Sequence, residues 1–593
     1  MSTEERAQGG LSRSEFLAGG ALLAGGMFAG FPVSARAKGR GLRGGGEPLA
    51  ARSYDAELTS FDGTRIAFTV FQPELARGQG APLVLHSHGY GGSRITEMDQ
   101  GPPRPADPAD VPAEALRRAW NSGYFAISFD ERGFGESGGR VNVMDPEFEG
   151  RDISAVLDWA EENLSPHLGY RGRRPVVGAL GLSYGGGFQL VGSSVDSRFG
   201  AIVPTATWND LPYSLASGEV PKTQWGQLLT GLGAAGSTGR LEPFLYELFV
   251  QSIVKNRLPE RLEERLHDNG LEAFCEIGEA PKVPAFLVQG AEDTLFNINE
   301  SLYNAGCLRE TGADGWLLIQ RSGHALPALQ DQRGEIGFRI DPEVSDGERT
   351  YETAGMMLAF LNEKLLGQKP EQEIPEVCIS LGEDTGLSPD SVPRGGESFA
   401  VPEATVTTGP NLDLIAKYLQ ELPTSTLLDA LAGAPADAAD LLLAVASGLA
   451  DPSRLEEVPP SVLALIPPRE ANELVTADEF VPLRVVQEPT FLTGVPLAEL
   501  GVRASGPDPI VFVGMGVQPE GDAATRLVND QLLPLRGEQR YSGELVGVSR
   551  LLQPGETLGL AIYGFHPQYM ANFSRVPSRC GLSGEVSLPL VSP

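Results

Sequence analysis

The chain has 593 residues, a length that predicts two or three domains. Hydrophobic residues make up 41% and charged residues 21%, as in globular proteins that bury sizeable cores. The formal net charge of -32 argues against nucleic-acid and membrane-surface partners, because such a surface repels phosphate backbones and anionic lipid heads. The simpler interpretation of this net charge is an acidic exterior that aids solubility.

The first 37 residues resemble an export signal. An apolar run from Leu17 to Val33 ends before Ala35-Arg36-Ala37, which has the form of an A-x-A cleavage site. The preceding Ser12-Arg13-Ser14-Glu15-Phe16-Leu17 resembles a twin-arginine signal in which Ser14 replaces the second arginine. We therefore expect an exported protein, extracellular or in the cell envelope, with no stable membrane insertion once the signal is removed.

The four cysteines lie far apart and have no metal-type spacing. They are Cys275, Cys307, Cys378 and Cys580. We expect buried free thiols, although a disulfide is permitted outside the cytosol.

From residue 55 to about 368 the sequence predicts an α/β domain. Leu58–Phe61 and Ile66–Phe71 flank Asp62-Gly63, which predicts a β-hairpin with a type I′ turn. Short apolar runs then alternate with helical segments, as expected of strands buried on both faces of a parallel sheet. These runs are Leu83–Leu85, Phe125–Phe129, Val176–Leu180, Ala201–Val203, Ala285–Val288 and Leu317–Ile319.

Two further regions interrupt or follow this alternation. About 207–281 contains helical segments and no clear strand, which predicts a helical cap between two strands. The α/β pattern stops near residue 370, and 371–593 is predicted to be a β-sandwich, with strands at Ile510–Val513, Glu544–Val548, Leu558–Tyr563 and Val586–Leu590. Within it, about 411–466 has helical spacing and is predicted to be an insertion of unassigned role.

The sharpest chemical motif is Gly181-Leu182-Ser183-Tyr184-Gly185, which directly follows the run Val176–Leu180. This is G-x-S-x-G between a strand and a helix, where the tight turn exposes a serine hydroxyl. Both flanking glycines are required because the turn leaves no room for β-carbons. The same turn directs the Tyr184 amide at the carbonyl oxygen under attack, so Tyr184 is predicted to be an oxyanion donor.

A serine hydroxyl needs a base, and the base needs an acid to orient it. Asp293 and His324 follow the fifth and sixth buried runs, in the order Ser, Asp, His that this kind of fold uses. We predict Ser183, Asp293 and His324 as the catalytic residues. Glu292 and Asp210 are the alternatives for the acid.

Two other motifs each have more than one functional interpretation. His86-Ser87-His88-Gly89-Tyr90-Gly91-Gly92 follows the run Leu83–Leu85, and its glycines would let backbone amides approach an oxyanion. His86 and His88 could be a metal pair, but no third ligand is near, so no metal is predicted. Gly133-x-Gly135-x-x-Gly138 matches a dinucleotide motif, yet a poor helix start follows it, so a nicotinamide cofactor is not expected.

The features that carry a family resemblance are the Ser183 motif followed by Gln189, the stretch Asp130-x-Arg132-Gly133-x-Gly135-x-Ser137, the cap and the β-rich tail. In these features the sequence resembles the Xaa-Pro dipeptidyl-peptidase and cocaine esterase family of α/β-hydrolases. The resemblance implies an α/β-hydrolase sheet with a helical cap, a jelly-roll-like tail and no cofactor. It also implies that the Tyr90 hydroxyl helps the Tyr184 amide in the oxyanion hole. The glycines around Tyr90 are typical of lipase loops that use amides alone, so either donor fits.

The family covers two activities, release of Xaa-Pro dipeptides and hydrolysis of small acyl esters. The first needs an acidic group for the substrate ammonium and a flat surface for proline, for which Asp210 and Trp208 are candidates. A loop carboxylate and a core aromatic are the alternative readings. We expect a serine hydrolase that cleaves an ester or amide bond of a small molecule or short peptide through an acyl-enzyme, in the manner of the Xaa-Pro dipeptidyl-peptidases. A small-acyl carboxylesterase of the same family is the alternative. The alternative from another class is a catalytically inert, secreted binding protein.

Overall fold

The computed structural model describes residues 42–326, 338–382, 384–467 and 475–592. The predicted export signal at 1–37 lies outside these residues. Within them, no helix combines the length and the apolar character that crossing a bilayer requires.

The predicted hairpin is present, but its turn is of a different type. Its strands, Arg52–Thr59 (β1) and Arg65–Gln72 (β2), pair antiparallel with Thr59 opposite Arg65. The Gly63 amide donates to the Ser60 carbonyl, and Gly63 is the one residue of this turn with positive φ (87°). A type I′ turn needs positive φ at both central residues, so the prediction of that turn type is wrong. The turn is closed by a glycine bulge instead.

A ten-stranded sheet forms the centre of the first part of the chain. Its strands after the hairpin are Leu83–Ser87 (β3), Phe125–Phe129 (β4), Val177–Leu182 (β5), Phe199–Thr205 (β6), Ala285–Gly290 (β7), Gly315–Gln320 (β8), Val377–Ser380 (β9) and Gly386–Leu387 (β10). The order of the sheet is β1-β2-β4-β3-β5-β6-β7-β8-β9-β10, with β3 to β9 parallel and β1, β2 and β10 pairing antiparallel. All six predicted buried runs are strands here. The last two strands lie beyond residue 370, where the α/β pattern was predicted to stop.

Helices cover both faces of this sheet. Val111–Asn121 (α1) lies on one face, whereas Glu149–Leu164 (α2) and Tyr184–Val195 (α3) lie on the other. The predicted apolar stripe of α2 is buried: Ile153, Val156, Leu157 and Ala160 are at most 1% exposed.

Between β6 and β7 the chain leaves the sheet and forms the predicted cap. Its helices are Leu211–Ala216 (α4), Thr223–Gly236 (α5), Pro243–Lys255 (α6), Glu260–His267 (α7) and Leu271–Glu276 (α8). After β7, Ile298–Glu310 (α9) returns to the face of the sheet that α2 and α3 cover, and Thr353–Leu361 (α10) packs beside α1 on the opposite face. Two-stranded hairpins lie at 170–175 and 343–352.

A disulfide joins the cap to the sheet layer. It links Cys275 on α8 to Cys307 on α9, with Cα atoms 5.9 Å apart. Cys378 and Cys580 are free and buried, as expected. For Cys275 and Cys307 the expectation of free thiols is wrong, because the fold brings together two helices whose cysteines are 32 residues apart in sequence.

The tail is a sandwich of antiparallel sheets around one apolar core. One sheet has the order β11-β21-β14-β18, the facing one β12-β20-β15-β16 with β17 beside β15, and a third β19-β13-β22. The strands are Glu397–Thr408 (β11), Glu479–Val485 (β12), Thr490–Gly494 (β13), Leu497–Ala504 (β14), Ile510–Gln518 (β15), Arg526–Leu527 (β16), Leu533–Arg536 (β17), Gln539–Glu544 (β18), Val548–Leu552 (β19), Thr557–Tyr563 (β20), Ser578–Leu588 (β21) and Leu590–Val591 (β22).

One predicted strand of the tail is wrong. Residues 545–547, the middle of the predicted run Glu544–Val548, connect β18 to β19 and are not a strand. Leu545 and Val546 are apolar because they are buried in the sandwich core, at 2% and 5% exposure.

The insertion predicted at about 411–466 is helical. It contains Leu412–Gln420 (α11), Thr424–Ala430 (α12), Ala436–Ala446 (α13) and Pro460–Leu463 (α14). It packs against the cap: the Gln224 amide of α5 donates to the Tyr418 hydroxyl at 2.8 Å, and Gln227 donates to the Leu465 carbonyl at 3.1 Å. The insertion therefore supports the outer side of the cap helix α5.

Candidate active site

Ser183 occupies the turn between β5 and α3. Its φ of 56° and ψ of -115° are strained for a residue with a side chain, as expected of a nucleophile elbow. A Cβ on Gly181 would lie 2.5 Å from the Gly185 carbonyl oxygen, and a Cβ on Gly185 would lie 2.2 Å from that of Ser87. The two glycines are thus required by backbone contacts on both sides of the serine.

The structure brings together the three residues predicted to be catalytic. His324 Nε2 lies 2.9 Å from Ser183 Oγ, and His324 Nδ1 lies 2.6 Å from Asp293 Oδ2. Asp293 and His324 follow the ends of β7 and β8, which are neighbours in the sheet. The chain of hydrogen bonds runs from a buried carboxylate through an imidazole to a hydroxyl, the arrangement in which an imidazole can take a serine proton.

The second oxygen of Asp293 is held by its own loop. Asp293 Oδ1 accepts the amide N–H groups of Leu295 at 3.1 Å and Phe296 at 2.7 Å, and the residue is 0% exposed. Both oxygens are therefore committed, one to the loop and one to His324. This fixes the carboxylate, and through it the orientation of the imidazole ring.

Three side chains from outside the sheet hold the Asp293 loop. From the cap, Lys222 Nζ donates to the carbonyls of Thr294 and Leu295, at 2.8 and 3.2 Å, and Trp225 Nε1 donates to Thr294 Oγ1 at 3.1 Å. From the β-sandwich, Gln531 Nε2 donates to the carbonyls of Ala291 and Asp293, at 2.9 and 3.0 Å. The cap and the sandwich thus both position the acid. Sequence reasoning missed Lys222 and Gln531 because neither lies in a motif.

The predicted oxyanion donors lie on two adjacent loops. Tyr184 begins α3, so its amide N–H has no acceptor within the helix. A Cβ on Gly89 would lie 3.9 Å from Ser183 Cβ, which places the backbone of the loop after β3 close to the nucleophile. The Tyr90 ring packs edge-on against the Tyr184 ring, with centroids 5.3 Å apart. Tyr90 lines the same cavity as Ser183, so a hydroxyl or an amide from this loop remains the predicted second donor.

Two carboxyl groups are buried beneath this loop. Burial raises the pKa of Glu149 to about 8, and it raises that of Glu131 well above its ordinary value. The Glu149 carboxyl is therefore mainly protonated at neutral pH, and burial disfavours the charged form of Glu131 as well, which limits negative charge near the place where an oxyanion would form. Their burial could not be predicted from sequence, because acidic residues are usually exposed.

Ser183 lines an apolar cavity, and residues of the cap form much of its wall. Its volume is about 930 Å³ including the open mouth. Most of the lining is aliphatic or aromatic: Val143, Leu211, Leu215, Leu229, Leu241, Leu245, Leu248, Phe249, Leu258, Leu266, Leu295 and Phe296. Such a wall suits an apolar group next to the bond that is cut.

The two predicted substrate-binding residues are placed differently. Trp208 lines the cavity, with its Nε1 donating to the Asn269 carbonyl. Asp210 is not part of the wall: its carboxylate caps α4 by accepting from the Tyr213 amide, and it lies 2.8 Å from His267 Nδ1. The structure assigns Asp210 to the internal contacts of the cap rather than to a substrate ammonium.

Residues of the possible metal motif around His86 and of the possible dinucleotide motif around Gly133 make structural contacts. His86 Nδ1 lies 3.0 Å from Ser128 Oγ, and His88 Nε2 accepts the Glu131 amide. Across the described ranges, no group of three or more metal-ligating side chains comes together. In the glycine-rich loop, Asp130 pairs with Arg94 at 2.5 Å and not with Arg132, which instead binds Asp62 and Asp152.

The strand order, the elbow and the hydrogen-bonded trio define an α/β-hydrolase. Residues 62–326 match the sequence profile of the X-Pro dipeptidyl-peptidase (S15) family, and this segment contains Ser183, Asp293 and His324. The resemblance predicted from the sequence is therefore confirmed.

Solved structures of low sequence identity share the fold over nearly the whole chain. An α-amino acid ester hydrolase has a TM-score of 0.53 at 13% identity and covers 92% of this chain and 98% of its own. A CocE/NonD family hydrolase from Staphylococcus aureus has a TM-score of 0.54 at 13% identity, covering 91% and 94%. These likenesses confirm the predicted architecture, including the β-rich tail.

A shorter similarity links the chain to an uncharacterised 31.7 kDa protein in the traX-finO intergenic region of Escherichia coli. The two are 28% identical over 151 residues, which is 26% of this chain and 46% of that protein. The chain thus spans about half the length of the curated relative that it matches.

Proposed function

We propose that the protein is a serine hydrolase that cleaves esters of apolar acyl groups through an acyl-enzyme on Ser183. The observation that carries this proposal is the hydrogen-bonded chain Ser183–His324–Asp293 at the edge of an apolar cavity, whose volume counted with its open mouth is about 930 Å³. The S15 family match over 62–326 supports hydrolysis as the general chemistry.

Each step follows from the positions of the side chains. His324 Nε2 takes the Ser183 proton as Oγ attacks the ester carbonyl, and Asp293 stabilises the imidazolium. The Tyr184 amide and a donor from the loop around Tyr90 donate hydrogen bonds to the carbonyl oxygen as its negative charge develops. His324 then gives the proton to the leaving alcohol, and the same steps with water release the acid and restore the serine.

An ester fits the cavity better than the N-terminus of a peptide. Binding a substrate ammonium needs a carboxylate in the wall, and the described residues that line the cavity include none. Asp210, the predicted candidate, is turned into the cap. Release of Xaa-Pro dipeptides is the second candidate, supported by the family match and by the flat Trp208 ring in the wall.

The test compares two substrates and one variant. The chain from Lys38 is offered p-nitrophenyl hexanoate and Gly-Pro p-nitroanilide, and both assays are repeated with Ser183→Ala. We expect hydrolysis of the ester by the wild type alone. Turnover of the anilide instead would establish the peptidase, and equal rates for wild type and variant would contradict the mechanism. No turnover of either substrate would favour an inert binding protein.

We also propose that the protein is exported. The sequence of residues 1–37 supports export, and so does the Cys275–Cys307 disulfide, because such bonds persist mainly in oxidising compartments. Fractionation of the native host, with N-terminal sequencing of the recovered protein, tests this. A cytosolic chain that retains residues 1–37 would contradict it.

A further inference from the structure

Lys222 stands out in the wall of the cavity that contains Ser183. It precedes α5, is 6% exposed, and is the one charged residue among the described residues that line the cavity. Lys222 holds the Asp293 loop, but hydrogen bonds to two carbonyls do not require a charged donor, and burying a charge is costly.

The ammonium group has hydrogen bonds but no ion-pair partner. Two of its three N–H groups donate to the carbonyls of Thr294 and Leu295. In the described part of the chain, no carboxylate lies within 4.0 Å of its Nζ. One N–H group is therefore left for another acceptor.

The neighbouring carboxylates are already engaged elsewhere. Glu300 accepts from the Asn209 and Asp210 amides and from the Ser214 hydroxyl, while Asp293 binds His324 and its own loop. Burial lowers the pKa of Lys222 to about 8, and interactions with Glu300 and Asp293 oppose that shift. Burial also raises the pKa of Glu300 to about 8, so this carboxyl is mainly protonated at neutral pH. Lys222 is thus mainly a cation at neutral pH, and its nearest acids cannot turn to it without breaking these bonds.

We propose that Lys222 binds an anionic group on the acyl part of the substrate, so that the preferred substrate is an ester whose apolar chain ends in a carboxylate. The proposal rests on the proposed function of Ser183. The aliphatic wall would hold the middle of the chain, with the ester carbonyl at Ser183 and the carboxylate at the free N–H of Lys222. A monoester of a medium-chain dicarboxylic acid has this chemistry.

The experiment uses two esters of equal chain length, p-nitrophenyl hexanoate and mono-p-nitrophenyl adipate. They differ in one terminal carboxylate, so the hexanoate rate of the wild type reports the proposed function, and the ratio of the two rates reports the contribution of the carboxylate. Wild type is compared with Lys222→Met, which keeps an unbranched side chain one atom shorter and removes the charge, and with Lys222→Arg, which keeps the charge. Circular dichroism establishes that each variant is folded.

We expect wild type to prefer the adipate ester. Lys222→Met removes two hydrogen bonds to the Asp293 loop, so it should lower the hexanoate rate by about tenfold. It should lower kcat/KM for the adipate ester by a further factor of roughly 10 to 100, the usual worth of a hydrogen bond to a charged group, and Lys222→Arg should keep part of the preference. Parallel losses on both esters would overturn the proposal and leave Lys222 as a residue that only holds the Asp293 loop.

A binding measurement keeps the proposal testable without turnover. Calorimetry with free adipate and Ser183→Ala should give a Kd that is weakened when Lys222→Met is added. Failure of the wild type to hydrolyse either ester would contradict the proposed function, whereas adipate binding that is insensitive to Lys222→Met would contradict this inference.

Discussion

Replacing Asp293 by Asn tests whether the buried carboxylate sets the protonation of His324. Asp293 Oδ1 accepts two amide N–H groups, at 3.1 and 2.7 Å, so the Asn carbonyl would keep that position. Its NH2 group would then take the place of Oδ2, 2.6 Å from His324 Nδ1. Because an amide nitrogen donates, Nδ1 must become the acceptor and the ring proton moves to Nε2. A protonated Nε2 cannot take the Ser183 proton.

The expected loss is large because the base is in the wrong tautomer. The equivalent change in other Ser-His-Asp sites lowers kcat by ~10⁴-fold, which corresponds to about 5 kcal/mol of activation free energy. The assay is kcat for p-nitrophenyl hexanoate, with circular dichroism to show that the variant is folded. Asp210→Asn is the matched control: Asp210 also follows a strand but serves the cap, so the rate should change little. A folded Asp293→Asn variant with more than about a tenth of the wild-type rate would refute this reasoning.

Three other changes test the surroundings of the site. Gln531→Ala removes both hydrogen bonds from the sandwich to the Asp293 loop. It should lower kcat by about tenfold, which corresponds to about 1–2 kcal/mol of activation free energy. Gln518→Ala, elsewhere in the sandwich, should leave the rate unchanged. Gly185→Ala puts a Cβ 2.2 Å from a backbone carbonyl oxygen and should abolish activity and soluble yield. Gly231 lies in α5 with open space beside it, so Gly231→Ala should raise the unfolding temperature slightly. The raised pKa of Glu149 gives a contribution to stability that is fully present below about pH 4.5 and is lost as the pH rises through about 8. Glu149→Gln should therefore flatten the pH dependence of the urea midpoint between these two pH values. An unchanged slope would contradict the burial of Glu149 as a protonated acid.

Local sequence patterns predicted the parts of the site that a turn or a strand end determines. Gly181 and Gly185 are fixed by contacts of the elbow itself, so the motif around Ser183 identified the turn before any tertiary structure was known. Asp293 and His324 follow buried apolar runs, and parallel strands bring such positions to one edge of a sheet.

Contacts between distant segments could not be predicted in this way. Gln531 is 238 residues from Asp293, and its role follows only from how the sandwich packs on the sheet. Lys222 and the Cys275–Cys307 pair likewise depend on the path of the cap, which has helical periodicity but no motif that fixes its docking. The wrong strand at Glu544–Val548 has a related cause, since burial made a connecting segment apolar without making it a strand.

Ser183 is the proposed nucleophile, and every step of the proposed reaction requires its hydroxyl. Incubation with a fluorophosphonate, followed by mass spectrometry of the digested protein, should place one adduct on the peptide that contains Ser183, with loss of esterase activity in proportion to labelling. The Ser183→Ala variant should take up no label at this peptide. Labelling at a different residue, or full hydrolysis of the ester by a fully labelled protein, would contradict the account.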